Sequence, residues 1–121
     1  MTPDWLTALS KIRAGTIPNE AALHRAVAAI LQANGVKFEP EYLLTRLDRI
    51  DFRVEYELDY WGIECKTNHG GMDVWRQLER YAHSCDYLVL ITTKPVGRVI
   101  APDPLAHRSK GLYVLELWKN F

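Results

Sequence analysis

The sequence lacks the features that would place it in a membrane or outside the cell. It has no apolar run of the length that a membrane span needs, and its first residues lack the basic and apolar regions of a signal peptide. Its two cysteines are too few for a disulfide framework, and each lies in an apolar setting typical of a small buried thiol. We therefore expect a cytoplasmic protein without a membrane partner.

Several signatures of common enzyme classes are also missing. The chain has no Gly-x-Ser-x-Gly elbow, no P-loop and no Gly-x-Gly-x-x-Gly, so serine hydrolase, nucleoside triphosphatase and Rossmann functions have no support. Its cysteines and four histidines show neither Cys-x-x-Cys nor His-x-x-x-His spacing. Local spacing therefore gives no support to a zinc site.

The chain has no excess of charge of either sign, because 15 basic residues balance 15 acidic ones. Lysine and arginine contacts to phosphate supply most non-specific affinity for nucleic acid, so a neutral composition argues mildly against such a partner. Basic residues nevertheless cluster in sequence around the main motif described below. They are Arg46, Arg49, Arg53, Lys66, Arg76 and Arg80.

Length and periodicity predict one α/β domain covering residues 1–121. Apolar spacing predicts helices at about 4–15, 20–33 and 72–84, and strands at 36–43, 49–54, 61–66, 87–92 and 112–117. A proline-containing loop with a short helix is expected before the last strand. The strand, helix and strand from residue 61 to residue 92 have the length of a crossover unit, which predicts a parallel pair.

The most informative stretch contains one Asp and one Glu-x-Lys on neighbouring predicted strands. In the first strand Ile50, Phe52 and Val54 alternate with polar residues, which predicts that Asp51 lies on a polar face. In the second strand the same period places Glu64 and Lys66 on one face. If the strands form a hairpin that turns near residues 57 and 58, Asp51 lies opposite Glu64.

This arrangement would bring two carboxylates together beside one ammonium group. Hydrolysis of a phosphodiester by a hard divalent cation needs oxygen ligands for the metal and a cation near the attacking water or the phosphate. The alternative is an ordinary solvated sheet face, since an acidic-x-Lys triplet occurs about once by chance in a chain of this length. Glu64-Cys65-Lys66 is the sole such triplet here, and Asp51 is predicted to share its face.

Three short segments together resemble the PD-(D/E)xK nuclease superfamily, nearest to its RecB-like, VRR-NUC and Holliday-junction resolvase branches. The segments are Arg-Ile-Asp-Phe at 49–52, Gly-Ile-Glu-Cys-Lys at 62–66 and Gln-Leu-Glu-Arg-Tyr at 77–81. The resemblance implies a restriction-endonuclease-like αβββαβ core, with a mixed sheet of four or five strands flanked by helices. Ile50 stands where the superfamily name has proline, and Cys65 occupies a position that is usually apolar.

The resemblance also implies roles for individual residues. Asp51 and Glu64 are similar to the acids that bind Mg²⁺ or Mn²⁺, and Lys66 is similar to the lysine that orients or activates water. Gln77, with Tyr81 one turn later, resembles the Gln-x-x-x-Tyr element of the RecB-like branch.

Glu20 is a candidate for a further metal ligand. Helical geometry places it within about 50° of the apolar stripe of its helix, so we expect it to point toward the core. The superfamily often has a glutamate on its first core helix at the edge of the metal site, and Glu20 matches that position. The alternative is that Glu20 only complements the helix dipole. Glu39 and Glu41 are competitors, although their alternation with apolar residues indicates a solvated face.

Basic and aromatic residues near the motif predict a DNA-binding surface. The candidate set is Arg49, Arg53, Arg76, Arg80 and Tyr81. A helix that follows a Gly-Gly loop at the end of the Glu64 strand would place its first turns near bound phosphate.

The sequence therefore predicts a DNA nuclease that depends on Mg²⁺ or Mn²⁺, and we expect an endonuclease that selects DNA structure or ends. One alternative is a catalytically inactive nuclease fold that binds DNA or a protein partner, and another is an unrelated binding protein. The apolar strand at 112–117 is a candidate for a homodimer contact, and a buried internal strand is the alternative for it.

Overall fold

The fold is α/β, and a computed structural model describes residues 2–68, 72–95 and 110–120. The helices are α1 (Asp4–Leu9), α2 (Glu20–Ala33) and α3 (Met72–Tyr81). The strands are β1 (Lys37–Leu43), β2 (Arg49–Tyr56), β3 (Asp59–Lys66), β4 (Tyr87–Thr92) and β5 (Gly111–Glu116). Two short 3₁₀ helices cover Ala14–Thr16 and Leu117–Lys119.

The five strands form one mixed sheet in the order β1-β2-β3-β4-β5. β2 runs antiparallel to both β1 and β3, whereas β3, β4 and β5 run parallel to one another. The parallel pair predicted for the two sides of α3 is confirmed. The last strand lies at the edge of the sheet, so its interpretation as an internal strand is wrong.

Turns and caps follow the local sequence. Glu57 and Leu58 form the two-residue turn between β2 and β3, with φ values of 49° and 69°. Two successive positive φ angles are typical of the type I′ turn, whose twist matches that of the strands. The Asn19 side chain accepts a hydrogen bond from the Ala22 amide at 2.9 Å, which confirms it as the cap of α2.

Two apolar clusters cover the two faces of the sheet. The first joins α1 and α2 to the sheet through residues that include Leu6, Leu23 and Ile63, and the second joins α3 through Leu78 and Leu90. Gly62 lies on the α3 face, because a Cβ atom there would meet side chains of the second cluster. The site described below lies between these two layers of helices.

The predicted alternation along β2 is only partly correct. Phe52 and Val54 belong to the first cluster, whereas Ile50 belongs to the second. The change of face occurs at Asp51, opposite a distortion in β1 where Glu41 has a φ of 52°. A residue in this left-handed conformation rotates the strand locally, so the period of two does not continue through it.

Element ends also differ from prediction. The first helix ends at Leu9 rather than near Gly15, and α3 ends at Tyr81 rather than at residue 84. Most of the predicted glycine loop and of the proline-containing segment lies at 69–71 and 96–109, outside the described residues. Within the described ranges, no helix has the length and apolar character to span a bilayer.

Candidate metal centre

Asp51 and Glu64 lie next to each other at the point where the regular ladder between β2 and β3 ends. Beyond this point, hydrogen bonds from backbone amides to carboxylate side chains join the two strands. The backbone pairs run from Tyr56–Asp59 to Phe52–Ile63, and the next step brings Asp51 opposite Glu64. There the Asp51 amide donates to Glu64 Oε1 at 3.3 Å, and the Cys65 amide donates to Asp51 Oδ2 at 2.7 Å. The predicted juxtaposition of the two acids is confirmed, and each carboxylate is held by the other strand's backbone.

Glu64 is buried, with 5% of its surface exposed. Its pKa is raised to about 8, first by burial and then by the charge of the adjacent Asp51 carboxylate and a side-chain hydrogen bond with it. The Lys66 ammonium acts in the opposite direction, since Lys66 Nζ lies 3.7 Å from Glu64 Oε2. The interpretation of this motif as a solvated sheet face is therefore wrong for Glu64.

His24 is a site residue that the sequence analysis missed. Its Nε2 atom lies 3.5 Å from Asp51 Oδ2 and, among the described residues, this buried atom has no hydrogen-bond partner. His24 Nε2, an Asp51 carboxylate oxygen and Cys65 Sγ lie within 4.8 Å of one another. The available signal was helical spacing, because His24 lies one turn after Glu20 on α2.

Cys65 belongs to this group of donor atoms, whereas Glu20 does not. Glu20 is exposed in the first turn of α2 and does not belong to the group of three donors. Cys65 is buried, and its pKa is raised first by burial and then by the charges of Asp51 and Glu64, with a smaller effect from Glu20. The thiol is therefore protonated in the metal-free protein, and metal binding by Glu20 stays a prediction.

On α3, the two residues of the Gln-x-x-x-Tyr element have different environments. Tyr81 is 3% exposed, and its hydroxyl donates to the Arg49 carbonyl at 3.0 Å. Its predicted role as a DNA contact is wrong, because the ring packs in the core and fastens α3 to the start of β2. Gln77 is half-buried, and its Oε1 atom has no hydrogen-bond partner within the described part of the chain.

Arg53 is also wrongly predicted as a phosphate contact. Its guanidinium lies between the rings of Tyr42 and Tyr60, at 4.5 and 3.8 Å from their centroids. The side chain is 16% exposed and also contacts Glu55 at 3.4 Å. These cation–π contacts hold the group on the sheet and leave little of it for a ligand.

The other three candidate arginines lie on the surface. Arg49 contacts Glu41 at 3.4 Å, and Arg80 Nε contacts Asp48 Oδ1 at 3.0 Å, with more than half of each arginine side chain exposed. Arg76 is exposed on α3. Ion pairs of this exposed kind contribute little stability, so phosphate can compete for these groups.

Comparisons with known proteins give a structural likeness and no family. No family model and no curated protein matches the chain. The fold is similar to that of the SPO1766 protein of Silicibacter pomeroyi, a protein of unknown function, with a TM-score of 0.53 and 23% sequence identity. The match covers 77% of this chain and 61% of that protein, so the chain spans less than two thirds of its length.

Proposed function

We propose that this protein is a metal-dependent DNA nuclease, with Asp51, Glu64 and Lys66 at its active centre. The observation that carries the proposal is the pairing of two carboxylates across β2 and β3, one of them buried, with a lysine ammonium 3.7 Å away. Placing two carboxylates side by side with one of them buried is energetically costly. Acids with pKa values perturbed in this way are concentrated at functional sites.

The order of elements supports the same assignment. α2, the antiparallel strands β1 to β3, α3 and the parallel strand β4 follow the αβββαβ order of a restriction-endonuclease-like core. The paired acids lie on β2 and β3, the second and third strands of the antiparallel part, and α3 begins after the end of β3 that contains Lys66. This placement agrees with the roles that the sequence motif implies.

The donor set fits a hard divalent ion. Carboxylate oxygens of Asp51 and Glu64 suit Mg²⁺ or Mn²⁺, and the unpartnered His24 Nε2 adds a nitrogen that favours Mn²⁺ over Mg²⁺. Burial, and then the charge of Asp51, raise the pKa of Glu64, so ionising this acid in the metal-free protein is costly. A bound ion would offset that cost and lower the pKa of a water molecule.

The other polar residues near the two acids would contact the phosphate and the attacking water. Lys66 holds positive charge beside the acids, where it stabilises charge that develops on phosphate or orients water. Gln77 offers a free carbonyl oxygen as a hydrogen-bond acceptor for water. The exposed Arg49, Arg76 and Arg80 hold phosphates of the DNA backbone.

Asp51→Asn and Glu64→Gln test the proposal. Each substitution preserves shape and removes charge, so we expect loss of Mg²⁺- and Mn²⁺-dependent cleavage with an unchanged circular dichroism spectrum. The substrates are linear, circular, single-stranded and branched DNA. Glu57→Gln, in the turn that follows β2, is the matched control and should cleave like the wild type. Wild-type turnover by either active-centre variant would contradict the site assignment.

A second candidate function is a catalytically inactive module of the same fold that binds DNA or protein. The zero net charge favours the protein-binding form of this module, because a neutral chain has little non-specific affinity for phosphate. Under this alternative no DNA in the panel is cleaved with either metal.

A further inference from the structure

Three different donor atoms meet on the α2 side of the active centre. His24 Nε2, an Asp51 oxygen and Cys65 Sγ lie within 4.8 Å of one another. They come from α2, β2 and β3, which the first apolar cluster holds together. Asp51 is the member that this group shares with the proposed catalytic pair.

The spacing of these atoms is close to that of ligands on a tetrahedral ion. Zinc bonds of about 2.0–2.1 Å to nitrogen and oxygen and about 2.3 Å to sulfur place tetrahedral ligands about 3.3–3.6 Å apart. The His24 Nε2 and Asp51 Oδ2 atoms are already 3.5 Å apart. Cys65 Sγ has to approach by about 1 Å at most, which a small side-chain rotation provides.

The chemistry of the donors favours a softer metal than Mg²⁺. Imidazole and thiolate ligands select Zn²⁺, whereas Mg²⁺ prefers oxygen ligands in an octahedral arrangement. His24 Nε2 is buried and has no hydrogen-bond partner among the described residues. The His24 and Asp51 side chains are nevertheless 24% and 21% exposed, so part of each side chain reaches solvent.

We propose that His24, Asp51 and Cys65 form an inhibitory site for Zn²⁺. On binding, the Cys65 thiol gives its proton to solvent, and the fourth position of the ion is left to water. Zinc engages Asp51 from the α2 side, so Asp51 is no longer available to the catalytic ion that it would share with Glu64. The inhibitory part rests on the proposed nuclease function, whereas the binding part does not.

The binding arm of the test uses the whole protein without DNA. Zn²⁺ is titrated by calorimetry, and Co²⁺ replaces it as a probe because a thiolate ligand gives a sulfur-to-cobalt absorption band. We expect this band for the wild type and its loss in Cys65→Ser. Removing a direct ligand should weaken Zn²⁺ binding at least as much as losing a hydrogen bond to a ligand, which costs about 10- to 100-fold.

Cys85→Ser is the matched control, because Cys85 is also a buried free thiol but belongs to the α3 cluster. It should keep both the cobalt band and the zinc affinity. His24→Gln provides a second variant, should Cys65→Ser fail to fold by circular dichroism. Equal Zn²⁺ affinity for wild type and a folded Cys65→Ser or His24→Gln variant would overturn the proposal.

The inhibition arm separates this proposal from the proposed function. Mn²⁺-dependent cleavage is measured with rising Zn²⁺, and each variant's rate is divided by its own rate without zinc. We expect inhibition of the wild type and Cys85→Ser, with a midpoint about 10-fold or more higher for Cys65→Ser. Equal inhibition of all three proteins would overturn the inhibitory role. Thiolate-dependent zinc binding without any cleavage would instead overturn the nuclease function and leave the metal site standing.

Discussion

At the scale of single residues, the site depends on an exchange of hydrogen bonds between two strands. Asp51 and Glu64 each accept a bond from the backbone of the opposite strand, in place of a regular ladder pair. These bonds fix the direction of both carboxylates before any ligand arrives. Such preorganisation reduces the cost of ordering a metal site or a transition state.

The raised pKa of Glu64 predicts a pH dependence of stability in the metal-free protein. The carboxyl titrates at about 8 in the folded chain and near its ordinary value of 4.5 when unfolded. Between these values the folded state binds more protons, so the free energy of unfolding falls as pH rises. We expect denaturation in EDTA to show this fall for the wild type and a smaller fall for Glu64→Gln. Identical slopes would contradict the buried, proton-retaining state of Glu64.

Lys66 should matter for the chemical step more than for metal binding. Its ammonium lies beside Glu64 without being one of the donor atoms, so Lys66→Ala should lower the single-turnover cleavage rate by about two orders of magnitude. Metal affinity, measured by titration, should change little. Lys37→Ala removes an exposed lysine on β1 and serves as the control. A normal rate with weaker DNA binding would show that Lys66 is only a phosphate contact.

At the scale of elements, β3 is held between two helical layers and tolerates little change on its α3 side. Three of its residues, Trp61, Ile63 and Cys65, face the α1 and α2 cluster. Glu64 lies on the opposite side of the strand and is buried. Its charge adds to burial in raising the pKa of Tyr81 on α3, so the acid and this helix are electrostatically coupled.

Gly62→Ala should destabilise the protein by about 1–3 kcal/mol, the usual cost of overpacking a core. A Cβ atom at this position would collide with Ile50 Cδ1 and would lie 2.8 Å from Cys85 Sγ and 3.1 Å from Leu88 Cδ2. Gly15→Ala is the matched control, because a Cβ atom there has nothing within 4 Å. Urea denaturation measures both variants, and equal stability would contradict the close packing of Ile50, Cys85 and Leu88 on Gly62.

At the scale of the whole molecule, the absence of net charge makes DNA binding depend on metal. The chain has 15 basic and 15 acidic residues, and two of the acids lie together at the proposed active centre. Unscreened like charges a few ångströms apart are costly in a partly desolvated cleft. The scissile phosphate should therefore be repelled until a divalent ion is bound.

We expect weak DNA binding in EDTA and stronger binding in Ca²⁺, an oxygen-ligated ion that serves here as a substitute for the catalytic metal. Glu64→Gln should recover part of this gain in EDTA at a pH above about 8, where Glu64 of the wild type is ionised and the substitution removes one negative charge. Fluorescence anisotropy with labelled duplex DNA measures both effects. Equal affinity of the two proteins in EDTA, with no response to Ca²⁺, would indicate that DNA does not lie over this centre.

Local sequence patterns were sufficient to predict the order of helices and strands, the β2–β3 turn and the juxtaposition of Asp51 with Glu64. Those features depend on local periodicity, turn geometry and hairpin register, and all of these act over a few residues. Asn19 as the cap of α2 was likewise evident, because its partner lies three residues away.

The side chains that surround the two acids, and the exposure of each, follow from long-range packing. His24 reaches Asp51 across 27 positions of sequence, and the burial of Glu64 and Tyr81 depends on how α3 packs against the sheet. The left-handed backbone at Glu41 interrupts the strand period, and the rings of Tyr42 and Tyr60 enclose Arg53. Such contacts join residues that are distant along the chain. Hydrophobic periodicity and motif spacing describe only neighbouring residues, so they cannot reveal these contacts.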